Sequence, residues 1–174
     1  IRDNYPSERK TELSYDYGEI DVEDLIEEEE VIISMTHSGY VKRQPVAEYK
    51  AQRRGGMGVT AHKPKEEDFV EKLFISSTHE NILFFSSYGK VYSIKGYEIP
   101  EAQRQARGRA IVNLLQIEQD EKITAVIPLA KDTKGYIAMA TRNGLIKKTA
   151  LEEFENIRKV GKIAIKINEG DERI

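Results

Sequence analysis

Three stretches of the 174-residue chain share one layout: VIISMTHSGYVKR (31–43), ILFFSSYGKVYSIK (82–95) and YIAMATRNGLIKKT (136–149). Each is an apolar run, then a polar turn ending in glycine, then a run that mixes apolar with basic residues. The β-branched and aromatic content of the runs, and the short gap between them, predict a β-hairpin in each case. Gly39, Gly89 and Gly144 would supply the positive φ that such turns need. These glycines recur about every fifty residues, so the chain reads first as a repeat.

Two further features recur in phase. An Arg–Gly segment follows each hairpin: RRGGMGVTA (53–61), ARGRAIVNLL (106–115) and RKVGKIAIK (158–166), with Gly55, Gly108 and Gly161 matched. A segment that opens acidic and becomes strand-like comes next: EDFVEKLF (67–74), DEKITAVI (120–127) and DERI (171–174). A unit of about fifty residues holding four short strands has the layout of a propeller-type blade. The alternative is a generic antiparallel sandwich of similar hairpins. The expected fold class is all-β, with blade units near 24–66, 67–119 and 120–170, a fourth beginning at 171–174, and a leader at 1–23. Helix is expected only as short turns, one of them at TALEEF (149–154), where Thr149 and Glu152 have capping-box spacing. Three blades do not close a ring, and an open array leaves blade faces uncovered. The first residue is not methionine, and the chain reads as a piece of a longer protein.

Composition adds limits. There is no cysteine, which excludes disulfides and thiolate metal sites. Apolar runs such as Val31–Ile33 and Ile82–Phe85 are far too short to span a bilayer, and no signal-peptide pattern opens the chain. The net charge of −3 hides an uneven distribution: residues 16–30 carry nine acidic side chains and no basic one. Residues 31–174 are left with 24 basic and 18 acidic side chains, a net +6. Glu27–Glu30 therefore read as a solvated acidic leader before a mildly basic body.

No catalytic constellation emerges. His37, His62 and His79 fall in turns or loops without metal-motif spacing. Tyr40, Tyr88, Tyr92 and Tyr136 flank hairpin turns and read as packing residues. QRRGGMG (52–58) lacks the GK[ST] of a P-loop and does not open a helix as a dinucleotide fingerprint does. The basic residues instead recur at blade-equivalent positions. Return strands carry Lys42 and Arg43, Lys90 and Lys95, and Lys147 and Lys148. The loops after them carry Lys50, Arg53 and Arg54, then Arg104, Arg107 and Arg109, then Arg158, Lys159 and Lys162. Radially arranged blades would align these into one stripe suited to phosphate contacts. Ordinary surface charges balanced by acids are the competing reading.

With SGYVKR, the Gln52–Gly58 segment and the blade period taken together, the chain resembles the C-terminal domain of bacterial DNA gyrase A. That family carries a seven-residue signature of the form QRRGG-basic-G. Gln52, Arg53, Arg54, Gly55, Gly56 and Gly58 match it, whereas Met57 stands where a basic residue is usual. The resemblance implies a six-bladed β-pinwheel whose neighbouring blades exchange strands, with about three blades present. Residues 1–23 would be the junction from a preceding cleavage region. It also implies that duplex DNA wraps on a basic rim, giving an ATP-dependent type IIA topoisomerase its negative-supercoiling direction. The partners would be DNA, gyrase B and a second copy of gyrase A, in the bacterial cytoplasm at the nucleoid, with no membrane. ATP and Mg would belong to other parts of the parent, leaving this piece without cofactor, metal or catalysis of its own. The matching domain of topoisomerase IV, guiding decatenation, and a propeller-type protein-interaction module are the alternatives.

Overall fold

The computed structural model describes residues 22–47 and 68–167. Among the described residues, ten strands run β1 (Glu30–Thr36), β2 (Tyr40–Pro45), β3 (Val70–Ser77), β4 (Asn81–Ser86), β5 (Lys90–Lys95), β6 (Arg109–Ala110), β7 (Ile123–Leu129), β8 (Tyr136–Ala140), β9 (Ile146–Ala150) and β10 (Lys162–Ile163). Val46 and Ala47 are helical where the first described segment ends. The other helical elements described are short 3-10 turns.

The three expected hairpins are β1–β2, β4–β5 and β8–β9, all antiparallel. Their turns close identically. Gly39 N–H donates to Thr36 O at 2.9 Å, Gly89 N–H to Ser86 O at 3.1 Å, and Gly144 N–H to Thr141 O at 3.0 Å. The hydroxyl of the residue opening each turn accepts the N–H of the residue after the glycine: Tyr40 to Thr36 at 3.2 Å, Lys90 to Ser86 at 3.3 Å and Leu145 to Thr141 at 3.1 Å. A short hydroxyl side chain competes well for a nearby backbone donor, which suits Ser and Thr to such turns.

The sheets are not contiguous in sequence. One has the order β3-β1-β2-β6 and another β10-β5-β4-β7, and β8-β9 stand as a two-stranded pair. The two-residue strand β6, from the second Arg–Gly segment, completes the edge of the first hairpin, and β10, from the third, completes the second. Matching bonds lock each exchange: Ile111 N–H to Gly39 O and Ala164 N–H to Gly89 O, both 2.8 Å. The acidic-then-apolar segments become β3 and β7, and each pairs with the leading strand of the preceding hairpin.

Close approach makes glycine obligatory at the exchanged strands. Gly108 and Gly161 hold φ of +87° and +81°. A Cβ on Gly161 would lie 2.7 Å from Tyr92 Cε1, and one on Gly108 2.5 Å from Val41 O.

Side-chain alternation in β4 explains why ILFF is uniformly apolar. Ile82 and Phe84 pack with Val31, Ile33, Met35 and Val41 of the first sheet. Leu83 and Phe85 pack with Met139, Phe154 and Ile165 on the other side. A strand covered on both faces has no solvent side on which to place polar residues. The sheets thus stack as propeller-type blades.

Two local expectations change. The turn Leu151–Phe154 starts after Ala150, and Thr149 Oγ1 has no hydrogen-bond partner among the described residues, so the capping box does not form. Thr149 is held one residue too early, in ladder register with Ile137. The acidic leader is docked rather than simply solvated. The Thr78 hydroxyl donates to Glu27 O at 3.0 Å, Glu29 N–H donates to the Thr78 hydroxyl at 3.1 Å, and Lys95 pairs with Glu23 at 2.9 Å. A strap running past the loop between β3 and β4 can satisfy its own backbone there, which its charge alone does not suggest.

Candidate nucleic-acid interface

The second Arg–Gly segment lies along the first hairpin, and its cations gather there. β2 sends Val41 into the core, so Tyr40 and Lys42, one residue to either side, leave on the opposite face. Lys42 Nζ donates to three carbonyls of the incoming segment: Gln103 at 3.0 Å, Arg104 at 2.7 Å and Ala106 at 2.9 Å. Partial burial, and then the Arg104 charge, lower the Lys42 pKa. The Arg107 guanidinium sits 4.0 Å from the Tyr40 ring centroid in a cation–π contact, and lies 3.7 Å from Asp68 Oδ2. Arg109 follows in β6, opposite Val41. Arg104, Arg107 and Arg109 are all exposed.

Asp68 anchors the turn end of this edge. Ser38 N–H donates to its Oδ1 at 2.9 Å. Desolvation alone would raise its carboxyl pKa, but hydrogen bonds from Ser38 and Thr36, with the Arg107 charge, hold it below the usual value. Glu121 of the second blade instead holds the return strand of its hairpin. Its buried carboxylate accepts the Tyr92 hydroxyl at 2.9 and 3.1 Å and the Glu118 N–H at 2.9 Å. Burial, joined by that carboxylate, pushes the Tyr92 phenol well above its ordinary pKa.

Other candidate cations have different surroundings. Arg43 is turned inward: its Nε donates to Ile99 O at 2.8 Å, and its guanidinium pairs with Glu29 at 3.3 Å and Glu101 at 3.2 Å. Lys147 donates to Ala164 O at 2.7 Å, and Lys148 lies 4.1 Å from the Tyr136 ring centroid. Around the third Arg–Gly segment, Lys159 pairs with Glu98 at 3.3 Å and Lys162 with Glu153 at 3.0 Å, while Arg158 is exposed. The Lys162 bond holds the Glu153 carboxyl below its usual pKa. Lys90 is bound to Glu118 at 2.5 Å, which raises its pKa. Lys50, Gln52, Arg53, Arg54, Gly55, Gly56 and Gly58 lie outside the described residues.

The structure therefore brings together Lys42, Arg104 and Arg107, places the exposed Arg109 opposite Val41 on the other face, and diverts Arg43 to internal pairs. Asp68 is a member of this edge that sequence reasoning misses, although it is the second residue of the recurrent acidic segment. Tyr40, expected to pack, finds its partner in the Arg107 guanidinium. Tyr92 packs as expected, whereas Tyr136 is largely exposed. No helix among the described residues is long and apolar enough to cross a membrane.

Known proteins carry the same architecture. DNA gyrase A of Escherichia coli (strain K12) is 52% identical over 171 residues, covering 98% of this chain and 20% of the relative. The chain thus spans about a fifth of the length of the curated relatives it matches. The C-terminal domain of DNA topoisomerase IV superposes with a TM-score of 0.71 at 27% identity, over 85% of this chain and 45% of that one. The DNA gyrase A C-terminal domain gives 0.58 at 28% identity, over 82% and 45%. Residues 30–77, 80–130 and 135–174 each match the family described as DNA gyrase C-terminal domain, beta-propeller, and the chain belongs to that family.

Proposed function

We propose that this chain binds and wraps duplex DNA without sequence preference, along an edge that includes Arg104, Arg107 and Arg109. The observation that carries the reading is the gathering of these three exposed arginines on one strand-exchanged segment beside the first hairpin. Duplex DNA presents a phosphate charge about every 1.7 Å of helix axis, and cations matched to it release condensed counterions. Such contacts hold the backbone without reading bases, and enough of them offset the elastic cost of bending. Lys50, Arg53 and Arg54 would extend the edge, with Gly55, Gly56 and Gly58 permitting close backbone approach and Gln52 opening the signature. Lys147, Lys148, Arg158, Lys159 and Lys162 would continue it on later blades. Membership of the gyrase family supports this reading, which would give the parent supercoiling enzyme its direction. That enzyme would act in the bacterial cytoplasm with gyrase B and a second copy of gyrase A, and bind ATP and Mg outside this chain.

The test is duplex-DNA titration at several salt concentrations, followed by plasmid relaxation with a nicking-closing enzyme. Binding that weakens steeply with salt, together with a linking-number shift of constant sign, is expected. Absence of binding at low salt refutes the reading. The superposition on the topoisomerase IV domain supports a second reading, guidance of strand passage without strong wrapping. Binding that leaves the topoisomer distribution unchanged selects it.

A further inference from the structure

The three carbonyls on Lys42 point to a role that differs from phosphate contact. The segment they belong to forms a tight turn in which Ala106 N–H donates to Gln103 O at 3.0 Å. Two side chains two residues apart on one face of β2 hold it: Lys42 by its ammonium, and Tyr40 by its ring under Arg107. An ammonium has three donors in a compact tetrahedral arrangement and meets three converging carbonyls. A guanidinium, planar and forked, does not. With these three bonds made, the Lys42 charge is directed into the turn, while Arg104 and Arg107 leave it exposed.

We propose that Lys42 is a positioning residue, which fixes the turn 103–106 so that Arg104 and Arg107 are presented together to the DNA backbone. The inference rests on the DNA-binding reading above. It separates two roles that charge alone makes identical, since a lysine on a basic edge is otherwise counted as one more phosphate ligand.

The test uses the full-length polypeptide that contains this chain, with Lys42→Met, Lys42→Arg, the pair Arg104→Ala/Arg107→Ala, and Lys42→Met added to that pair. Affinity for a duplex without a preferred sequence is measured across a salt series. Loss of both arginine contacts lowers the slope of log K against log salt by roughly 1.8, two contacts at about 0.9 each. Lys42→Met is expected to approach that loss, Lys42→Arg to fail to restore it, and Lys42→Met to add nothing to the arginine pair, as for residues acting as one unit. Restoration by Lys42→Arg, a loss of roughly 0.9 that adds to the pair, or no loss at all overturns the proposal. Hydrogen exchange of the Ala106 amide supplies a readout without DNA. Faster exchange in both Lys42 variants is expected, and unchanged exchange overturns the staple. If the unaltered polypeptide does not bind DNA, the edge itself is refuted, and exchange still decides whether Lys42 holds the turn.

Discussion

Gly161→Ala, compared with Gly144→Ala, isolates the energetic weight of strand exchange. Both glycines have positive φ, +81° and +87°, so both alanines incur the left-handed backbone cost of about 1–2 kcal/mol. Their surroundings differ. A Cβ at residue 144 meets nothing within 4 Å among the described residues, whereas one at residue 161 lies 2.7, 2.9 and 3.2 Å from Tyr92 Cε1, Cδ1 and Cζ. Ordinary carbon contacts lie near 3.5–4.0 Å, so the ring or β10 must move by about 1 Å. Tyr92 has no free direction: it is fully buried, and its hydroxyl is tied to Glu121 at 2.9 and 3.1 Å. Losing a hydrogen bond to a charged group costs about 1.5–3 kcal/mol. Gly161→Ala is therefore expected to cost about 2.5–5 kcal/mol, the sum of backbone strain and that bond. Gly144→Ala is expected to cost only the backbone part, about 1–2 kcal/mol. Urea unfolding followed by tyrosine fluorescence measures both, since the chain has nine tyrosines and no tryptophan. Equal losses in the two variants would refute the argument that close packing of the exchanged strand on Tyr92 stabilises the blade.

Phe84→Ala, at a fully buried position between the first two sheets, is expected to cost about 3–5 kcal/mol in urea unfolding. Arg43→Ala removes the bond to Ile99 O and the pairs with Glu29 and Glu101. It should lower stability by about 1.5–3 kcal/mol while leaving the salt slope of DNA binding unchanged; a changed slope would show that Arg43 reaches phosphate. The folded-state pKa of Asp68 is depressed from 3.8. Its stabilising contribution is thus present above that value and is lost as pH falls through the lower folded pKa. Unfolding midpoints measured from pH 5 downward should fall less steeply for Asp68→Asn than for the unaltered chain.

Much of the fold is legible in the sequence because its signals are local. Apolar runs with a polar turn between them specify hairpins through neighbouring residues, and all three form about Gly39, Gly89 and Gly144. The in-phase recurrence of the Arg–Gly segments marks a common structural slot, and β6 and β10 occupy it. The candidate interface is legible only in part. Arg104, Arg107 and Arg109 stand exposed where the repeat puts them, but neighbouring Lys42 and Arg43, alike in sequence, have opposite surroundings. Lys42 and Arg43 alternate across β2, and what each meets depends on segments about sixty positions away. Separations of 30, 51 and 72 positions likewise hide Asp68 and the docking of the acidic leader on Thr78 and Lys95.

Side-chain alternation and turn residues act over a few positions. The repeat, the hairpins, the turn chemistry and the abundance of cations therefore follow from residue order alone. Which cations remain available follows from long-range packing. Strand exchange carries a segment of one repeat onto the edge of the preceding one, and the carbonyls, rings and carboxylates it brings determine whether a basic side chain is held inside or left at the surface.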